Sequence, residues 1–152
     1  MKISNISIEQ FRSIKKCQLR LNEITTVVGE NNAGKTALLR ALNSVFNWEE
    51  EKRFFDDNTH QYAPRTVTKI YLTFEDVPSK SIYNGKVYND KLILGFTYSY
   101  STTRRKKTLF CSVNGSEITV DDTFISELKK DIDYVYIPAN RGNTDLIWNE
   151  SS

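Results

Sequence analysis

The sequence predicts an α/β domain in which a mixed sheet carries an antiparallel β-region, and three observations lead there. Residues 2–10 and 15–21 alternate apolar and polar side chains, the apolar period lengthens to that of a helix after Gly34, and β-type segments resume beyond residue 65 around two Asn-Gly pairs. A length of 152 residues corresponds to one domain or a piece of something larger. Eight Phe, eight Tyr and two Trp within a hydrophobic fraction of 39% are enough to fill a core. The formal charge of +2 speaks against a strongly basic nucleic-acid-coating protein and against an acidic tail. No run approaches the roughly 18 apolar residues of a membrane-spanning helix, and Met1 to Asn5 lacks the apolar stretch of a secretory leader. Cys17 and Cys111 have no C-x-x-C partner, so a reducing, cytoplasmic setting without membrane association is expected. His60 is the only histidine, which disfavours a His-based metal site or a Ser-His-Asp triad.

Taken in order, residues 2–10 and 15–21 read as a strand pair joined at Phe11-Arg12-Ser13. Ile24 to Val28 is a short β-branched run ended by Gly29 and suits a buried strand. From Lys35 to about Trp48, Leu38, Leu42, Val45 and Phe46 fall on one helical face, with Arg40, Asn43, Ser44 and Asn47 expected to point away from it. Residues 66–74, 91–100 and 108–113 have strand composition. Asn84-Gly85 and Asn114-Gly115 read as type I′ hairpin turns. Asp121 to Lys130 reads as a helix with acids at its start and Lys129-Lys130 at its end, followed by a strand over Tyr134 to Ile137 that stops at Pro138.

Gly29-Glu30-Asn31-Asn32-Ala33-Gly34-Lys35-Thr36 satisfies G-x-x-x-x-G-K-[ST] between a strand-like run and an amphipathic helix, the context this phosphate-binding loop requires. Gly29 lets the chain leave the strand sharply. Gly34 lets backbone amides approach phosphate oxygens with no Cβ in the way. The helix that follows points its unpaired amides and positive dipole end at the anion. Gly29, Asn31, Asn32, Ala33, Gly34, Lys35 and Thr36 are therefore the expected nucleotide-binding residues, with Lys35 bridging the β- and γ-phosphates of ATP and the Thr36 hydroxyl on Mg²⁺. No catalytic residue is identified. The apolar strand ending in Asp that usually completes the metal site is missing, and Ile118-Thr119-Val120-Asp121-Asp122 is a poor substitute. Asp131-Ile132-Asp133 precedes its strand and reads as a solvated turn.

Residues 1–48 resemble the N-terminal start of ATP-binding-cassette-type ATPases of the RecF, SMC and OLD group. The residues that carry the likeness are Ile3 to Ser13, Leu21-Asn22-Glu23-Ile24, the whole loop, and Leu38-Leu39-Arg40-Ala41-Leu42. The Gly-Glu-Asn-Asn-Ala-Gly-Lys-Thr wording looks most like OLD-type defence ATPases, whereas SMC-like proteins more often have Gly where this chain has Asn32. The resemblance implies an ABC-like P-loop fold of which this chain is the N-terminal lobe, incomplete in itself. The strand pair, loop and helix would span residues 1–48, the antiparallel β-region 62–120, and a helix and strand 121–141. It implies an ATP-dependent dimer with nucleotide sandwiched between subunits, and DNA as a partner of the full-length protein. It also implies that Arg12 reaches nucleotide phosphates, and that Asn140 or Arg141 approaches the γ-phosphate or Mg²⁺, although the family's Gln is absent there.

Three functions are consistent with these readings. The first is the ATPase lobe of a DNA-processing protein, for repair or antiphage defence, with an endonuclease downstream. The second is a module in which ATP drives dimerisation without hydrolysis. The third is another kind of P-loop kinase, completed by Asp76 or Asp122. Arg104-Arg105-Lys106-Lys107 is expected at a hairpin tip, where a phosphate-contacting patch for DNA is one reading and a solvated turn protecting two strand edges is the favoured one. Tyr98 and Tyr100 are expected to pack on one side of their strand rather than stack on bases.

Overall fold

The computed structural model describes residues 1–12, 14–21, 32–55, 67–101, 104–132, 134–136 and 147–149, with backbone alone at 32–36, 101, 104, 105, 134–136 and 147–149. Strands β1 (Lys2–Phe11), β2 (Ile14–Arg20), β3 (Val67–Glu75), β4 (Val87–Tyr88), β5 (Lys91–Ser101), β6 (Arg104–Val113) and β7 (Ser116–Thr119) form one sheet. Its order is β2-β1-β3-β5-β6-β7, with β4 pairing the start of β5. Every pairing among the described residues is antiparallel. The N-terminal hairpin therefore shares a sheet with the later strands, because β1 pairs with β3 from Lys2↔Glu75 to Glu9↔Lys69. The expected strand at residues 24–28 lies outside the described residues.

The pleat sorts the side chains. Ile6, Ile8, Ile70, Leu72, Phe74, Leu92, Leu94, Phe96 and Cys111 face inward and are buried, while Ser7, Glu9, Lys69, Tyr71, Thr73, Thr97 and Thr108 take the opposite face. Helices α1 (Asn32–Phe46), α2 (Trp48–Glu51) and α3 (Asp122–Asp131) join the core from the inward side. Phe46 meets Phe74 edge-on at 6.4 Å, and Trp48 and Phe55 pack against Phe96 and Tyr98 at 4.7–5.9 Å. The Tyr98 and Tyr100 expectation holds: both rings sit against Phe55, and the Tyr100 hydroxyl lies 2.8 Å from Thr68 Oγ1. On the outward face Phe110 lies across Gly95 and edge-on to Tyr71 at 5.9 Å.

Several local expectations need correction. Helix α1 starts at Asn32, three residues before the predicted Lys35, and ends at Phe46 because Asn47 leaves the helical region at φ −135°, ψ 59°. Asn43 and Ser44 do not point away but are buried. Ala37, Ala41 and Ser44 form a ridge of small side chains that lets the helix sit close to the core, and α2 closes over Asn43. Asn114-Gly115 does make the β6–β7 turn with positive φ at both positions, 46° and 83°. Asn84-Gly85 does not make a hairpin. Asn84 at φ −61°, ψ 128° and Gly85 at φ 74° form a type II turn, and the β4–β5 hairpin turns instead at Asn89-Asp90, φ 52° and 62°. Arg104 to Lys107 are strand residues of β6 at the end where the β5–β6 hairpin turns, since Ser101↔Arg104 through Tyr98↔Lys107 are paired. Asp131 is no solvated turn residue: it accepts hydrogen bonds from Lys80 Nζ and from the Tyr83 hydroxyl at 2.6 Å. Finally, β8 (Tyr134–Tyr136) pairs antiparallel with β9 (Ile147–Asn149), while Ile137, Asn140 and Arg141 lie outside the described residues.

Candidate functional site

The site is built on α1. A helix that begins at Asn32 leaves the amides of Asn32, Ala33 and Gly34 without acceptors inside the helix, and they are the positive end of its dipole. No acidic side chain stands in that first turn to compete for the field. Gly34 within a helix costs roughly 1 kcal/mol relative to Ala, a local penalty that helix propensity gives no reason to accept. The donor set of consecutive amides, the Lys35 ammonium and the Thr36 hydroxyl fits a Mg²⁺-bound polyphosphate by its chemistry. Gly29 and Asn31 lie outside the described residues.

The far half of α1 is held by a polar network that sequence reasoning missed. The Glu51 side chain, 4% exposed, accepts from Arg40 Nη1 at 3.1 and 3.3 Å and from Asn43 Nδ2 at 2.8 Å. Asn47 Nδ2 donates to Asn43 Oδ1 at 2.6 Å, and Lys129 Nζ of α3 donates to Asn47 Oδ1 at 2.5 Å. This places a cation beside the C-terminal end of α1, where the dipole is negative and the helix's own last turn carries none. The acidic run Glu49-Glu50-Glu51 hid the signal by looking like a solvated boundary. The readable clue was the small-residue ridge Ala37, Ala41 and Ser44, which widens the buried face as far as Asn43.

Arg12 sits at the β1–β2 turn, closed by Phe11↔Ile14, in the left-handed region at φ 52°. Gln10 is also left-handed at φ 54°, and its carbonyl accepts the Thr68 hydroxyl at 2.5 Å. Two non-glycine residues in this region within three positions store strain of the kind that collects at functional turns. Phe11 between them is buried against Phe55 at 5.7 Å.

The acids considered for completing a metal site have other roles. Asp121 caps α3 by accepting the Phe124 amide at 2.9 Å, and Asp122 pairs with Lys107 at 2.6 Å, whose ammonium also lies 5.1 Å from the Trp48 ring centre. Asp122 shares a cleft with Val45, Phe46 and Asn47, which begins nine residues, or about 13 Å, along α1 from Thr36. That distance removes Asp122 from the metal position. Asp76 is exposed beyond the end of β3, 3.8 Å from Lys2. Among the described residues no cluster of three or more His, Cys, Asp or Glu side chains forms a metal site. Burial opposes ionisation of Asp131, but Lys80, Tyr83 and the N-terminal amine outweigh it and hold the carboxyl below its usual value. Burial and the same carboxylate keep the Tyr83 phenol protonated, and burial pushes the Cys111 thiol up to about 11, so Cys111 behaves as an inert core side chain. No helix among the described residues is long and apolar enough to cross a membrane.

Endonuclease GajA from Bacillus cereus (strain VD045) is 36% identical over 76 residues, which cover 49% of this chain and 13% of that protein. A solved structure from a study of ATP-driven dimerisation and DNA-stimulated activation of SMC ATPases superposes with a TM-score of 0.60. The superposition covers 82% of this chain and 75% of that one at 15% identity, a likeness of fold. Residues 1–150 match the AAA ATPase domain family, and the chain belongs to that family.

Proposed function

We propose that the protein binds ATP with Mg²⁺ at the N-terminal end of α1, through Gly29, Asn31, Asn32, Ala33, Gly34, Lys35 and Thr36. The observation that carries this reading is the start of α1 at Asn32, which puts three successive amides of the G-x-x-x-x-G-K-T motif at a helix head. Lys35 adds charge to the β- and γ-phosphates, and Thr36 supplies a hydroxyl to the metal. Bound Mg²⁺ would neutralise charge on the phosphates. Arg12, on its strained turn, adds a second cation from the β1–β2 hairpin. Hydrolysis requires elements and a second subunit that complete the site. In the assembled protein it is coupled to DNA processing in repair or antiphage defence, and the word endonuclease in the name of the Bacillus cereus relative supports a nuclease in company with it.

A second reading keeps ATP as a dimerisation ligand without turnover. It is favoured by the engagement of Asp121 and Asp122 in a helix cap and an ion pair. Lys35→Ala tests the shared premise. Titration with Mg²⁺–ATP should show a loss of about 1.5–3 kcal/mol, tenfold or more in Kd, with an unchanged circular dichroism spectrum. Equal affinity in the variant overturns the assignment.

A further inference from the structure

The outward face of the sheet carries a separation of charge that the nucleotide site does not use. One line crosses five strands in register: Lys16 on β2, Glu9 on β1, Lys69 on β3, Thr97 on β5 and Thr108 on β6. Lys106 lies two residues farther along β6, on the same face and nearer the β1–β2 turn. Lys16, Lys69 and Lys106 are all exposed. At the opposite end of the face the charges are mixed, with Arg20, Lys91, Glu75 and Glu117, and Lys91 is 3.8 Å from Glu75. Glu9 lies 3.9 Å from Lys16, a surface pair worth under about 1 kcal/mol that a stronger anion displaces.

We infer that this basic end of the sheet is a docking surface for the phosphate backbone of duplex DNA. The inference rests on the DNA-processing reading above, and names the surface that meets the nucleic acid. Strand spacing puts Lys16 and Lys69 about 10 Å apart and Lys69 and Lys106 about 12 Å apart. The second separation matches the roughly 12 Å major groove that phosphates line on both sides. Thr97 and Thr108 share one hydrogen bond, which leaves one of their two hydroxyl protons for an outside acceptor. The occupant is a duplex and not an unpaired strand, because binding of single strands needs open aromatic faces for base stacking. On this face Phe110 is only 6% exposed and laid over Gly95, and the half-buried Tyr71 meets it edge-on at 5.9 Å, so the pair offers no row of open ring faces on which successive bases could stack. Phosphate contact without base readout gives affinity that is indifferent to sequence and steeply dependent on salt.

The test is fluorescence anisotropy of a labelled 30-base-pair duplex with the nucleotide-free chain, between 50 and 200 mM salt. The double variant Lys69→Glu/Lys106→Glu should bind at least tenfold more weakly, and the slope of log K against log salt should fall by about 2. The matched variant Lys52→Glu/Lys130→Glu changes net charge equally on exposed helical positions. It should retain most of the affinity. Equal losses in the two variants, or unchanged binding in the first, overturn the surface. So does wild-type affinity for phosphatidylserine vesicles that matches or exceeds affinity for DNA, or an absence of wild-type DNA binding at 50 mM salt. ATP affinity, measured on the same samples, should not change in either variant. Nucleotide binding that fails only in Lys35→Ala therefore keeps the two assignments separable.

Discussion

The two halves of α1 answer to different demands. The first turn, Asn32 to Lys35, has amides without intrahelical partners and a glycine where a helix would favour alanine. The second half buries Ala41, Asn43, Ser44, Val45 and Phe46, and satisfies its polar groups through Glu51, Asn47 and the Arg40 carbonyl, which accepts from Ser44 at 2.7 Å. Stability is thus concentrated at the end away from the chemistry, and the phosphate-facing end is free to use residues that are poor helix formers. Packing aims the helix, and the motif supplies what it is aimed with.

Removing Glu51 should separate the halves most clearly. Glu51→Ala leaves Arg40 and Asn43 facing a buried vacancy, and unfolding by urea should show a loss of about 3 kcal/mol. This is the low end for a broken buried pair, because Arg40 keeps 24% of its side chain in water. A loss under about 0.5 kcal/mol would mean that the network is ornamental. Asp131 should produce a smaller and pH-dependent effect. Its folded-state carboxyl titrates below its unfolded value, so its contribution is fully present above the unfolded value and disappears as pH falls through the folded one. Stability should therefore drop below about pH 4, and Asp131→Asn should flatten that part of the profile. The smallest effect belongs to the start of α3. Asp121→Ala should cost about 1 kcal/mol by loss of the cap, with ATP affinity unchanged. A change in ATP affinity would return Asp121 to the catalytic candidates.

The sheet was legible wherever one face meets the core, because Ile6, Ile8, Ile70, Leu72 and Phe74 write their burial as a period of two. The loop motif was legible because its glycines and lysine have few other reasons to stand at that spacing. What escaped was polar burial. Asn43, Glu51 and Asp131 look like surface residues until their partners are known, and those partners lie up to 51 positions away in the chain. Turn chemistry misled for a related reason. Asn84-Gly85 and Asn89-Asp90 both tolerate positive φ, and the pairing of Val87 with Leu92, which the local sequence does not state, decides which one reverses the chain. Lys107 was assigned to solvent because its neighbours are cations, yet the pleat turns it inward to Trp48 and Asp122.

Phe110 and Gly95 have a bearing on how this sequence can drift. The glycine is a seat for the ring, and any Cβ at position 95 would collide with it. A larger residue at 95 is tolerable only after position 110 has shrunk, and a shrunken 110 first uncovers bare backbone in the middle of a seven-stranded sheet. The two sites should therefore be inherited together, and relatives that have replaced one should have replaced the other.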